Sequence, residues 1–123
     1  MHFNSFNEAA DAGVGRYFFS SSACVYRDQA IGESYISEDD AYPALPDNEY
    51  GWEKLVAERM ALSFSRNRGL DVRIARFHNI FGPEGSWNDG REKAPAAFCR
   101  KVAMAKDGGE IEMWGDGKQT RSF

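Results

Sequence analysis

The order of elements predicts an α/β fold in which a parallel sheet is crossed by helices. Three observations carry this. The runs 16–20 and 72–77 are short and apolar enough for strands, amphipathic stretches lie around them, and glycine or proline punctuates the junctions. At 123 residues and 42% hydrophobic composition the chain reads as one domain with a modest core.

Each element follows from its residues. Residues 3–12 read as a helix stopped at Gly13, and Arg16-Tyr17-Phe18-Phe19-Ser20 as a strand buried on both faces. Residues 27–48 gather acids and turn formers, among them Glu38, Asp39, Asp40, Pro43 and Pro46, into a loop that ends beside a helix start. From 49 to 67, Leu55, Val56, Met60, Leu62 and Phe64 suit a helix with one buried face, and Gly69 stops it. Residues 72–77 alternate apolar and basic, the pattern of a half-exposed strand. A loop with Gly82-Pro83 and Gly85 leads to a helix over 94–106, with Pro95 in its first turn and Gly108-Gly109 after it. Residues 111–114 read as a short strand before a turn at Gly115-Asp116-Gly117, and no repeat or low-complexity segment is present.

Charge excludes some functions. A net charge of −4 with scattered basic residues argues against nonspecific nucleic-acid binding, so an anionic ligand needs a local site. No stretch has the roughly 18 apolar residues of a membrane span. Residues 1–10 lack the pattern of a signal peptide. A cytoplasmic setting is the expectation, and with it free thiols at Cys24 and Cys99.

The residues that carry chemistry lie at the ends of the predicted strands. Tyr50 and Lys54 are four apart and share a helix face, so both reach one bound molecule. A free tyrosine is a poor base at neutral pH, and an adjacent ammonium stabilises the phenolate. Taken alone the pair equally suits a solvated helix surface. Its place after a serine-ended strand and a loop favours the chemical reading. In Ser20-Ser21-Ser22-Ala23-Cys24, Ser22 suits a hydrogen bond to a reacting hydroxyl, against a plain turn. Cys24 is either a small buried residue or an open thiol able to act as a base. Cys99, among Ala96, Ala97, Phe98 and Val102, reads as packing, and His78, flanked by Phe77 and an apolar run, as a packed histidine rather than an acid or base. Asn79 follows the second strand, where α/β sheets bind ligands. Lys93 sits just before a helix, either as a solvated charge beside Arg91 and Glu92 or as a proton donor over a ligand. In Gln119-Thr120-Arg121-Ser122-Phe123, Arg121 has the geometry to clamp phosphate.

Together the segments S-S-A-C-V-Y, Y-G-W-E-K, R-F-H-N-I-F-G-P, G-R-E-K-A-P-A-A-F-C-R-K and E-M-W-G-D-G-K-Q-T-R-S-F resemble the extended short-chain dehydrogenase/reductase family of NAD-dependent nucleotide-sugar epimerases and dehydratases. The resemblance covers residues 4–123, and the G-R-E-K-A-P segment narrows it to the branch that inverts carbons 3 and 5 of GDP-mannose. It implies a Rossmann-like sheet, NAD as cofactor, GDP-mannose or a related nucleotide sugar as substrate, and a homodimer. By the same resemblance Tyr50 is the base at carbon 4, and Lys54 and Ser20 join it in holding the cofactor. Cys24 and Lys93 become the base and acid that invert carbons 3 and 5. Ser22, Ala23, Cys24, Asn79, Glu92, Lys93, Ala94, Lys101, Gln119, Thr120, Arg121 and Ser122 become substrate contacts, and no metal is implied.

The family's Gly-x-x-Gly-x-x-Gly turn after a first strand has no counterpart in these residues, and the family pattern runs on past Phe123. The expectation is therefore a partial domain over 1–123 that holds the catalytic residues, lacks most of the dinucleotide cradle and exposes sheet edges and apolar faces. Two other readings stand beside it: a different NAD-dependent sugar-nucleotide epimerase or dehydratase, and a noncatalytic chain that binds GDP-sugar or an intact subunit.

Overall fold

The computed structural model describes residues 1–30, 32–33 and 35–118. It divides into two compact units, 1–77 and 78–123.

Unit 1 contains α1 (His2–Asp11), β1 (Arg16–Ser22), a 3-10 turn (Ala23–Val25), a second one (Glu38–Ala41), α2 (Glu49–Arg68) and β2 (Asp71–Phe77). β1 and β2 pair in parallel, with Tyr17 beside Val72, Phe19 beside Ile74 and Ser21 beside Arg76. A parallel pair needs a long crossover, and α2 supplies it. Asn48 caps the helix by accepting from the Gly51 N–H at 2.9 Å. Gly69 ends it in the left-handed conformation at φ 70°, where a residue with no Cβ is unstrained.

The core lies between the two helices and one face of the sheet. Phe6, Phe19, Ala57, Ala61, Phe64 and Leu70 form it, with Tyr17, Val72 and Ile74 packed alongside. The Phe6 ring meets those of Tyr17, Phe19 and Phe64 at 5.1, 5.7 and 5.9 Å between centroids, in edge-on and tilted packings that aromatic quadrupoles favour. A smaller cluster of Val25, Ala41 and Leu55 fixes the chain as it leaves β1.

Two expectations about burial need correction. β1 is not buried on both faces: Phe19 and Ser21 are buried, whereas Phe18 is 59% exposed. Side chains alternate along a strand, and α1 and α2 pack against the face that carries Phe19 and Ser21. The buried stripe of α2 is Gly51, Leu55, Ala57, Glu58, Ala61 and Phe64, while Val56 and Leu62 are exposed. Small residues let the helix lie close to the sheet, so alanine outcompetes the larger apolar side chains at the contact.

Unit 2 contains α3 (Ala94–Met104), begun by Pro95 in its first turn, with Gly108 at φ 73° beyond its end. The expected strand at 111–114 does not form, and no described residue pairs with it. A strand needs a neighbour for its N–H and C=O groups. Phe81, Trp87, Cys99, Arg100 and Met104 line an open, largely apolar cleft of about 400 Å³. Cys99 is therefore exposed rather than packed, and His78 is exposed as well. Among the described residues no helix is long and apolar enough to cross a membrane.

Candidate active site

Unit 1 gathers the first half of the expected site where β1 ends and α2 begins. The contact depends on Gly51. A Cβ there would lie 2.1 Å from the Cys24 carbonyl oxygen and 2.9 Å from Cβ of Pro46, so any side chain would drive the helix away from the strand end. Glycine thus lets the first turn of α2 approach the Ser22–Cys24 backbone and brings Tyr50 and Lys54 to the carboxyl end of the sheet.

Lys54 is held in place. Its Nζ donates to the Ser20 carbonyl at 3.0 Å and lies 5.2 Å from the centre of the Phe19 ring and 5.6 Å from that of Tyr50. Tyr50 and Lys54 thus sit together on one side of the first turns of α2. Tyr50 itself is half exposed, open to a ligand.

Ser22 stands at the head of the 3-10 turn and accepts from the Cys24 N–H at 3.2 Å through Oγ. Tyr26 closes the same turn by donating its N–H to the Ala23 carbonyl at 3.2 Å. This conformation leaves Ala23 partly buried and Cys24 exposed. Cys24 is therefore not the small buried residue that is one of its two readings.

Beneath these residues lies a network that sequence reasoning missed. Ser21 Oγ donates to Glu58 Oε1 at 2.5 Å, and Arg76 grips the same carboxylate from Nε at 2.9 Å and from Nη2 at 2.7 Å. Arg76 Nη1 donates to Tyr26 Oη at 3.0 Å and to the Glu38 carbonyl at 2.6 Å. The hydrogen bond to Glu58, more than any other influence, raises the guanidinium's already high pKa. Glu58 follows Lys54 by four residues, a spacing that allows an ion pair along the helix. The structure turns Glu58 inward to Arg76 instead, and among the described residues no buried side-chain nitrogen or oxygen lacks a partner.

Unit 2 carries Asn79, Glu92, Lys93, Ala94 and Lys101. Lys93 is exposed at the N-cap of α3. Glu92 accepts from the Gly90 N–H at 2.7 Å and from Arg100 Nη2 at 2.8 Å, and Arg100 Nε donates to the Trp87 carbonyl at 3.0 Å. Its own backbone N–H first, then Arg100, hold the Glu92 carboxyl below the usual glutamate range. Lys101 Nζ donates to the Glu112 carbonyl at 2.5 Å. Gln119, Thr120, Arg121 and Ser122 lie outside the described residues. Among the described residues no group of three or more His, Cys, Asp or Glu side chains is placed to hold a metal ion.

A parallel α/β crossover with Tyr-x-x-x-Lys at the carboxyl end of its sheet is the arrangement that the resemblance to the nicotinamide-dependent short-chain dehydrogenase/reductase class implies. Residues 2–123 match the NAD dependent epimerase/dehydratase family, and the chain belongs to it. Over its full length it is 50% identical to GDP-mannose 3,5-epimerase 1 of Oryza sativa subsp. indica, covering 32% of that protein. Among solved structures, it superposes on UDP-N-acetylglucosamine 4-epimerase from Methanobrevibacter ruminantium M1, in complex with UDP-N-acetylmuramic acid. That match has a TM-score of 0.79 and 26% identity over 98% of this chain and 36% of the other. A double mutant of the dTDP-glucose 4,6-dehydratase DesIV from Streptomyces venezuelae, with NAD and DAU bound, matches at TM-score 0.69 and 32% identity, over 94% of this chain and 33% of the other. The chain spans about a third of the length of the relatives it matches.

Proposed function

We propose that this chain carries the catalytic residues of a GDP-mannose 3,5-epimerase, an NAD-dependent isomerase of nucleotide sugars. The observation that carries the reading is the junction at Gly51, where the turn of α2 that bears Tyr50 and Lys54 packs against the Cys24 backbone, with Ser22 heading the 3-10 turn and the Cys24 thiol open. Identity of 50% to the rice enzyme supports the choice of substrate.

The donor set suits a nicotinamide ribose. An ammonium has three N–H donors, and the Ser20 carbonyl accepts from that of Lys54, leaving donors for ribose hydroxyls next to the Tyr50 hydroxyl. Bound NAD supplies oxidation at carbon 4 of the mannosyl ring and reduction of the same carbon at the end. Tyr50 takes the proton of the 4-hydroxyl, with the Lys54 ammonium beside it and Ser22 orienting the hydroxyl. A ketone at carbon 4 acidifies the protons on carbons 3 and 5. In this reading Cys24 and Lys93 are the base and acid that remove and return those protons, which inverts each carbon. Asn79, Glu92, Ala94 and Lys101 contact the sugar nucleotide in this reading, with Arg121 and its neighbours on the phosphates.

The test grafts residues 1–123 in place of the matching third of the rice enzyme and supplies GDP-mannose and NAD in heavy water. The expected product carries deuterium at carbons 3 and 5, and Cys24→Ala abolishes that incorporation while oxidation at carbon 4 persists. Substrate consumed with deuterium at neither carbon would remove the roles of Cys24 and Lys93 and favour another epimerase or dehydratase of the family.

A further inference from the structure

We infer that Glu58 and Arg76 are positioning residues that hold the Ser22–Val25 segment in one conformation by gripping the chain on both sides of it. The inference rests on the proposed roles of Ser22 and Cys24.

The segment has little order of its own. It is a single 3-10 turn of three residues, a class of helix whose hydrogen bonds are poorer than those of an α-helix, and too short to be stable alone. Packing of Val25 with Ala41 and Leu55 holds its middle, and contacts at its two ends set its direction. Ser21, immediately before it, is 4% exposed and donates to Glu58, which is 2% exposed. Tyr26, immediately after it, accepts from Arg76 through its hydroxyl, and the guanidinium carbon lies 5.0 Å from its ring centre. Both flanking residues therefore touch one ion pair, joined at 2.7 Å and carried by α2 and β2.

The chemistry of the pair favours direction over bulk stability. A buried ion pair adds little net stability compared with apolar side chains of the same volume, because both charges lose their hydration. A guanidinium, however, presents five donors in a rigid plane. Arg76 uses that plane to address Glu58, the Tyr26 hydroxyl and the Glu38 carbonyl together, which one ammonium on a flexible stem cannot reproduce. The inward place of Arg76 also breaks the apolar series of β2, where Val72 and Ile74 hold the preceding inward positions.

The experiment is amide hydrogen exchange by NMR on the 123-residue chain and its Arg76→Lys and Glu58→Gln variants. Exchange at Val25 and Tyr26 should accelerate about tenfold, and the Cys24 amide resonance should broaden, while Ala57 and Ala61 inside α2 change by less than about twofold. Exchange that rises equally in α2 and at 25–26 would reduce the pair to a global stabiliser, and unchanged exchange at 25–26 would also overturn the proposal. If both variants unfold, Tyr26→Phe removes one hydroxyl without stranding a charge. It should accelerate exchange at 25–26 about threefold, and no change there overturns the proposal. No substrate or cofactor enters these measurements, so their failure is separate from failure of the deuterium test.

Discussion

Gly51 of α2 and Cys24 of the strand-end turn meet backbone to backbone, so closely that a single added carbon on Gly51 would stand 2.1 Å from the Cys24 carbonyl oxygen. The tyrosine-lysine pair and the thiol are thus coupled through a contact that involves none of their side chains. The spacing of the site is set by an absence of volume.

Gly51→Ala tests that coupling. Alanine should favour the helix by about 1 kcal/mol over glycine, yet overpacking costs about 1–3 kcal/mol and more where backbone is the obstacle. We expect a net loss of about 2 kcal/mol in urea unfolding, together with a changed rate of Cys24 alkylation in a Cys99→Ser background.

Asn48 anchors the same turn by accepting from the Gly51 N–H. Asn48→Ala should cost about 1 kcal/mol in thermal or urea unfolding, and Asn48→Asp should recover most of it because the acceptor is kept.

Lys54 makes a contact that contributes little to stability. Lys54→Met leaves the Ser20 carbonyl accessible to water, so stability should change by less than about 1 kcal/mol. In the grafted enzyme the rate of GDP-mannose epimerisation should fall by at least about 100-fold, as expected when support for a general base is removed.

Phe6 has no exposed surface and joins α1, β1 and α2. Phe6→Ala should cost about 3–5 kcal/mol, comparable to the whole stability of a small unit. Loss of the near-UV circular dichroism signal at 25 °C is the expected result.

The Glu92 latch should open in acid. Its carboxyl lies below the usual glutamate range in the folded chain, so its contribution is complete above the unfolded value of about 4.3 and is lost as pH falls through the folded value. Gly90, whose N–H donates to Glu92, should show an amide chemical-shift transition on acidification, at a pH below that of an unfolded glutamate. Glu92→Gln keeps an acceptor and should abolish the transition.

Much of the fold was legible because local chemistry sets it. Gly13 and Gly69 lie where α1 and α2 end, Pro95 sits in the first turn of α3, and the strands at 16–22 and 71–77 coincide with the apolar run at 17–19 and the apolar–basic alternation at 72–77. Tyr50 and Lys54 share a helix face because residues four apart always do. The segment at 111–114 carries strand-like residues without a partner, which no local pattern reveals.

By itself the sequence determined where the helices and the two strands lie and which residues are able to perform chemistry, since both depend on neighbours along the chain. Only the tertiary structure decided that Glu58 turns away from Lys54 to meet Arg76, that Cys24 is open, and that Gly51 is the point of closest approach. Those are contacts between residues 18 to 37 positions apart or backbone meetings without side chains. A buried carboxylate takes the partner that packing places within reach, and packing is a property of the assembled unit rather than of any stretch of its sequence.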